Sequence, residues 1–189
     1  MRMIAVVGSV TPPGRLNAAV QAAVDFAAGQ PGVTPALVNL AEHPLPFADG
    51  RPLDQLPAEA ARVVAQLAQA DAVLLASPVY RASFTGALKN LLDLTPLDAL
   101  RDKPVGIVAM GATAHHSLGV DGHLRAVLAW FGALVAPTSV YLESAHFRQG
   151  ALADDAARGA LTGLVTTLIA MARWPRGRLG PPPLAAGRS

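Results

Sequence analysis

The chain has 189 residues, no cysteine and a formal net charge of +2 at neutral pH. This length suits one domain, and a composition that is 52% hydrophobic and 15% charged provides a substantial core and excludes a disordered chain. The lack of cysteine excludes disulfides, thiolate nucleophiles and cysteine-bound metals. No apolar run is long enough to span a membrane and no signal-peptide pattern is present, so we expect a cytoplasmic protein with no membrane partner.

The charge is unevenly distributed. Four arginines and no acidic residue follow position 172, so residues 1–172 have a net charge of −2. The body of the protein therefore lacks the basic face typical of nucleic-acid binding, and we expect no nucleic-acid partner. We predict one domain over residues 1–172 and a mobile tail rich in Arg, Pro and Gly over residues 173–189.

Short apolar runs alternate along the chain with stretches of helical periodicity. The predicted strands are residues 3–7, 33–40, 71–76, 105–110 and 134–142. The predicted helices lie near residues 16–27, 56–67, 87–92, 118–131 and 154–169, with a long loop over residues 42–57. This alternation predicts an α/β three-layer sandwich with a five-stranded parallel sheet. The short second strand and an early ligand loop favour the flavodoxin-like strand order 2-1-3-4-5.

The loop after strand one, GSVTPPGRLN over residues 8–17, has the character of a phosphate site. Arg15 falls near a helix start, where a cation is unfavourable unless an anion offsets it. Ser9, Thr11 and Asn17 add polar donors, and no acidic residue precedes Asp25. The loop fits neither the Walker pattern nor GxGxxG. The alternative interpretation is a polar turn with an incidental arginine.

The loops after strands three and four have features that suit a flat ring. The first, SPVYRASFTG over residues 77–86, places Pro78, Val79 and Tyr80 at a strand end. The second, MGATAHH over residues 110–116, has small residues that admit a ring and a histidine donor, His115. A tight connector with Tyr80 filling a gap explains the first loop almost as well. Adjacent histidines without a nearby carboxylate or cysteine do not suggest a metal site.

The three loops follow strands that are neighbours in the predicted order, so their ends converge on one crevice. A phosphate site at one end and a ring site at the other describe flavin mononucleotide (FMN). We expect hydride transfer to be performed by the flavin itself, with no protein group assigned as a catalytic acid or base.

Three segments resemble the NAD(P)H-dependent FMN reductases of flavodoxin-like fold, especially those that supply reduced flavin to two-component alkanesulfonate monooxygenases. Residues 8–15 resemble the family's GSPR-x-x-SR phosphate loop. SPVY followed by FTGALKNLLDL is close to its [ST]PVY-x-x-x-[YF]-[ST]-GALK-x-LLDL, and GATAHHSLGVDGHLRAVL is similar to its GGT-x-AH segment. The likeness extends over about residues 3–143.

The resemblance implies FMN, NADPH or NADH, a monooxygenase partner, and a homotetramer or homodimer with helix four at an interface. It implies phosphate contacts at Ser9, Arg15, Leu16 and Asn17. It implies ring and ribityl contacts at Pro78, Val79, Tyr80, Arg81, Gly111, Ala112, Thr113 and His115.

The sequence departs from the family pattern at several positions. Gly14 and Leu16 replace hydroxyl residues, and Ala112 replaces the second glycine of GGT. In the sulfonate-linked members a π-bulge in helix four is associated with flavin exchange, and the corresponding segment here is Asp121-Gly122-His123. Without a bulge, tightly held FMN and a quinone or azo reductase become the alternative. A flavodoxin-like electron carrier without turnover is a third hypothesis.

Overall fold

The computed structural model describes residues 1–113 and 117–174. Its strands are β1 (Arg2–Val7), β2 (Thr34–Asn39), β3 (Ala72–Pro78), β4 (Pro104–Gly111), β5 (Leu134–Val135), β6 (Val140–Glu143), β7 (Phe147–Arg148) and β8 (Ala151–Leu152). Its helices are α1 (Arg15–Ala28), α2 (Ala58–Gln69), α3 (Gly86–Leu94), α4 (Ser117–Trp130) and α5 (Asp155–Ala172). The predicted mobile tail lies outside the described residues from position 175 onward.

The main sheet is parallel and has the order β2-β1-β3-β4-β5, with β6 also paired to β4. The predicted order is therefore confirmed. The prediction of one continuous fifth strand over residues 134–142 is wrong, because β5 and β6 are separate segments that pair with successive parts of β4. Pro137 lies between them and has no N–H to donate to a ladder.

Both faces of the sheet are covered, as predicted for an α/β sandwich. Alternation along β1 directs Met3, Ala5 and Val7 towards the face covered by α1 and α5. Ile4 and Val6 point to the opposite face, where they join buried residues of α2, α3 and α4. The hydrophobic core therefore has two halves, one on each side of the sheet. The helices cover the two faces and leave the carboxyl ends of the strands accessible.

Residues 147–152 form an antiparallel β7–β8 pair, which is absent from the strands predicted above. Its turn has Gln149 at φ +48° and Gly150 at φ +85°. Such a pair of residues with positive φ is typical of a two-residue hairpin. Among the helices of the described chain, none has the length and hydropathy needed to cross a membrane.

Candidate functional site

The carboxyl ends of β1, β3 and β4 meet at one edge of the sheet, since these strands are consecutive neighbours. A cavity of about 270 Å³ lies there. Six of the twelve residues expected to contact FMN line it, namely Ser9, Arg15, Leu16, Asn17, Pro78 and Tyr80. Thr11, Asn39 and Met110 also line it and were not among the predicted contacts.

The end of the cavity at α1 has an unbalanced positive potential. The helix starts at Arg15 with Gly14 as its N-cap, which supplies no side-chain hydrogen bond, and its first turn contains no acidic residue. The first backbone N–H groups of a helix have no partner within the helix. The Arg15 guanidinium is exposed and forms no hydrogen bond or ion pair with any described residue. An anion placed here would interact favourably with both the helix start and the guanidinium.

Polar side chains complete this end of the cavity. The hydroxyls of Ser9 and Thr11 lie 2.7 Å apart in a hydrogen bond, and the Thr11 N–H donates to the Ser9 hydroxyl at 3.3 Å. The Asn17 side-chain oxygen is buried without a hydrogen-bond partner in the described chain. A half-turn of that amide would present its NH2 group as a donor at the same place. An unpartnered buried amide oxygen beside a cavity is a feature that a bound ligand would resolve, by accepting from the turned amide.

Leu16 differs from its polar neighbours because its side chain belongs to the core. It is 7% exposed and packs with residues of α1 and α5. Only its backbone N–H, at the second position of the helix, is available for the phosphate contact that the resemblance implies.

The loop after β3 contains a strained two-residue turn. The Tyr80 N–H donates to the Ser83 carbonyl at 2.8 Å, and the Ser83 N–H donates back at 3.0 Å. The central residues Arg81 and Ala82 have φ of +50° and +61°. Each left-handed residue with a Cβ costs about 1–2 kcal/mol, and glycine or asparagine is usual in such turns. Backbone strain of this kind is concentrated at functional sites.

Helix α4 packs against the strained turn. Gly119 lies so close to the Ala82 carbonyl that a Cβ at position 119 would clash with it. One turn further, the His123 ring nitrogen Nδ1 lies 3.0 Å from the Ser83 hydroxyl, within hydrogen-bond distance. The position of Tyr80, which is 48% exposed at the cavity, is therefore determined by contacts of the turn with α4.

A buried polar network joins the first two loops. The Thr85 N–H donates to the Ser77 hydroxyl at 3.0 Å, and the Thr85 hydroxyl donates to the Gly8 carbonyl. The same Thr85 oxygen caps α3 by accepting from the Leu88 N–H at 3.1 Å. Because Ser77 and Thr85 are almost fully buried, this network fixes the two loops relative to each other.

The loop after β4 begins at Gly111, which is half-buried, and continues through the exposed residues Ala112 and Thr113. The Val79 N–H donates to the Met110 carbonyl at 2.8 Å, so the ends of β3 and β4 are joined next to the cavity. None of the predicted contacts Val79, Arg81, Gly111, Ala112 and Thr113 is among the residues lining the 270 Å³ cavity, although all lie in its bordering loops. The predicted contact His115 lies outside the described residues.

Other ionisable side chains of the described chain are not among the residues that line this cavity. His43 pairs with Glu59 at 2.9 Å, and the His146 ring accepts from the Glu143 N–H at 3.2 Å. In the exposed loop after β2, hydrogen bonds from Arg51 lower the pKa of Asp49 to about 2. Within residues 1–113 and 117–174, no three His, Asp or Glu side chains are grouped closely enough to hold a metal ion.

Comparisons with known proteins show the family of the chain. A family model described as NADPH-dependent FMN reductase matches residues 1–147. The NAD(P)H-dependent FAD/FMN reductase of Geobacillus thermodenitrificans is 37% identical over 119 residues, which cover 63% of this chain and 64% of that protein. The FMN reductase (NADPH) of Pseudomonas aeruginosa is 35% identical over 146 residues, covering 77% of this chain and 78% of its own length.

Among solved structures, the apo form of the NADH:FMN oxidoreductase EmoB is similar, with a TM-score of 0.78 and 23% identity. The similarity covers 94% of this chain and 93% of that one, and at this identity it concerns the fold alone. The family match, by contrast, extends over all three loops of the crevice. The chain belongs to the NADPH-dependent FMN reductase family.

Proposed function

We propose that this protein oxidises NADPH or NADH and reduces FMN held in the crevice between the three loops. The observation that supports the proposal best is the electrostatics of the α1 start. Arg15 and an uncapped helix N-terminus border a cavity whose described lining residues include no acid. An anionic group is the ligand chemistry that such a site stabilises.

The residues present fit FMN. At the phosphate end, we assign contacts to Ser9, Arg15 and Asn17 and to the backbone N–H of Leu16. Once the amide is turned so that its NH2 group replaces the unpartnered oxygen, Asn17 would donate to the same phosphate that pairs with the Arg15 guanidinium. For the ring and ribityl chain, we assign Pro78, Val79, Tyr80 and Arg81 on one side. On the other side we assign Gly111, Ala112, Thr113 and His115.

Bound flavin supplies the hydride acceptor, so the chain's own residues have binding and orienting roles. Tyr80 offers an aromatic surface fixed by the strained turn, and the small residues after β4 leave room for a ring to lie close to the backbone. To the backbone N–H groups of residues 111–113 we assign the stabilisation of negative charge on a reduced ring. No side chain is assigned as a catalytic acid or base.

A second candidate function is favoured by the form of α4. All residues from Ser117 to Trp130 are α-helical, including the segment where sulfonate-linked members have a π-bulge. If that bulge promotes flavin exchange, a continuous helix favours FMN that stays bound. The protein would then be a quinone or azo-type reductase with FMN as its resident cofactor.

The test is oxidation of NADPH and of NADH at 340 nm by flavin-stripped protein, with FMN titrated from zero. Saturable turnover that reduces many FMN equivalents per enzyme supports the flavin reductase. Activity that needs only stoichiometric FMN together with a quinone or dye supports the second candidate. FMN binding without NAD(P)H oxidation indicates an electron carrier. If the protein neither binds FMN nor oxidises NAD(P)H, all three hypotheses are refuted.

We further propose a cytoplasmic homodimer or homotetramer with α4 at an interface and a monooxygenase that consumes the reduced flavin. Support comes from the sulfonate-system resemblance and from Trp130 on α4, which is 55% exposed. Light scattering of the Trp130→Arg variant tests the interface, since a charge at a packed contact should lower the oligomeric state. An unchanged mass would remove α4 from the interface.

A further inference from the structure

One tyrosine on the edge of the sheet is hydrogen-bonded to the loop after β4, which we assign to the flavin ring. Tyr141 lies on β6, paired with Ala109 of β4, and its hydroxyl donates to the Thr113 carbonyl at 2.6 Å. The bond therefore joins a strand of the sheet to a loop that extends beyond the end of the neighbouring strand.

The same hydroxyl occupies the space above Gly111. A Cβ at position 111 would clash with the Tyr141 hydroxyl, and it would lie 3.0 Å from the ring carbon Cζ and 3.3 Å from a Val79 methyl group. The tyrosine can reach Thr113 only because residue 111 has no side chain. Gly111 and Tyr141 thus form a matched pair at the point where β4 becomes the loop.

We infer that Tyr141 is a positioning residue that holds the backbone of residues 111–113 in the orientation required to stabilise the reduced flavin ring. This inference rests on the proposed function. By fixing the Thr113 carbonyl, the hydroxyl restricts rotation of the peptide planes in a loop whose residues Ala112 and Thr113 are exposed. A preorganised donor stabilises developing charge better than one that must reorient.

The chemistry of the phenol agrees with this role. Burial, and to a smaller extent the nearby Glu143 carboxylate, raise the pKa of Tyr141, so the hydroxyl remains protonated and donates at physiological pH. Thr113 is exposed, so water can satisfy its carbonyl when the phenol is removed. Loss of the hydroxyl should therefore affect the loop's orientation more than the stability of the fold.

The test compares Tyr141→Phe with Thr95→Val. Thr95 is a matched control because it also donates a buried hydroxyl to a backbone carbonyl, that of Leu91 at 2.7 Å, at the opposite end of α3. FMN affinity is measured by flavin fluorescence, and the midpoint potential of bound FMN by dye equilibration. We expect Tyr141→Phe to raise the Kd for oxidised FMN roughly three- to tenfold and to make the potential more negative. Thr95→Val should change neither.

Several results would overturn the inference. One is an unchanged Kd for FMN in Tyr141→Phe, and another is a Thr95→Val variant whose Kd and potential change as much. A third is equal weakening of the binding of oxidised and reduced FMN, because the midpoint potential then stays unchanged. If Tyr141→Phe does not fold, Gly111→Ala displaces the hydroxyl from the other side and should shift the potential in the same direction. Failure of the unsubstituted protein to bind FMN refutes the proposed function and the inference together, whereas normal binding with an unaffected Phe variant refutes the inference alone.

Discussion

Substitution of Gly8 by alanine should disturb the fold and the site together. Gly8 directly follows β1 as the first residue of the proposed phosphate loop, and its N–H donates to the Ala76 carbonyl at 2.7 Å. A Cβ at position 8 would lie 2.7 Å from the Cβ of Leu88 and 3.1 Å from the Ala76 carbonyl oxygen. Neither neighbour can move easily, because Leu88 is fully buried on α3 and Ala76 is part of β3.

The size of the effect follows from these distances. Carbon atoms in contact are normally about 3.5–4.0 Å apart, so the new methyl group requires α3 and the loop to separate by almost an ångström. Overpacking of a core costs about 1–3 kcal/mol. Because both neighbours of the new methyl group are rigid, we expect the destabilisation by Gly8→Ala to lie in the upper part of that range. The melting temperature of a chain of this length should fall by about 4–12 °C.

The assay is urea unfolding followed by circular dichroism, together with FMN titration of the folded variant. We expect a lower midpoint with an unchanged slope, and weaker FMN binding because the Gly8 carbonyl also accepts the Thr85 hydroxyl. Gly159→Ala on α5 is the matched control, since nothing lies within 4 Å of its added Cβ, and it should stabilise by about 0.5–1 kcal/mol. A Gly8→Ala protein as stable as the parent and with equal FMN affinity would refute the reasoning.

Three further outcomes are expected from the same contacts. Thr85→Val should destabilise by about 2–3 kcal/mol in urea unfolding, because the helix cap is lost and the buried Gly8 carbonyl is left without its donor. Ala82→Gly should stabilise by about 0.5–1 kcal/mol in the same assay, because glycine tolerates a φ of +61°. The free energy of unfolding should decrease as the pH rises above about 10, and it should decrease less steeply in Tyr141→Phe. The reason is that the pKa of Tyr141 is higher in the folded than in the unfolded protein, so this group favours folding only while its phenol is protonated.

Each of these outcomes has a control and a contradicting result. Thr85→Ser keeps the hydroxyl and should retain most of the stability, so an equal loss in both Thr85 variants would remove the hydrogen bonds as the cause. A destabilised Ala82→Gly would mean that the turn is not strained. Parallel alkaline profiles for the parent and Tyr141→Phe would contradict the raised pKa of this phenol.

The main architecture was predictable because the sequence alternates apolar strands with amphipathic helices. The strand order was favoured by the placement of the loops, and the sheet confirms it. The split of the fifth strand was not recognised, although Pro137 within residues 134–142 was a usable signal. The β7–β8 hairpin was also missed, and the Gln149-Gly150 pair in its turn is a weaker signal than Asn-Gly.

The site was predictable at the level of loops and less so at the level of atoms. The phosphate loop could be recognised from Arg15 at a helix start, but the sequence could not indicate that the Leu16 side chain enters the core. The strained turn at Arg81 and Ala82 contains no glycine, so turn propensities gave no warning of it. The Tyr141–Thr113 bond joins residues 28 positions apart, and it depends on the register of β6 against β4.

The most direct test of the central claim compares the affinities of FMN and riboflavin for the parent protein and for Arg15→Ala. The two ligands share the ring and differ in the phosphate that we assign to the α1 start. We expect the substitution to weaken FMN binding by about 1.5–3 kcal/mol and to leave riboflavin affinity unchanged. Arg62→Ala, on the exposed face of α2, serves as the control and should affect neither ligand. Equal FMN affinity in the parent and Arg15→Ala, or equal weakening of both ligands, would contradict the assignment of this loop as the phosphate site.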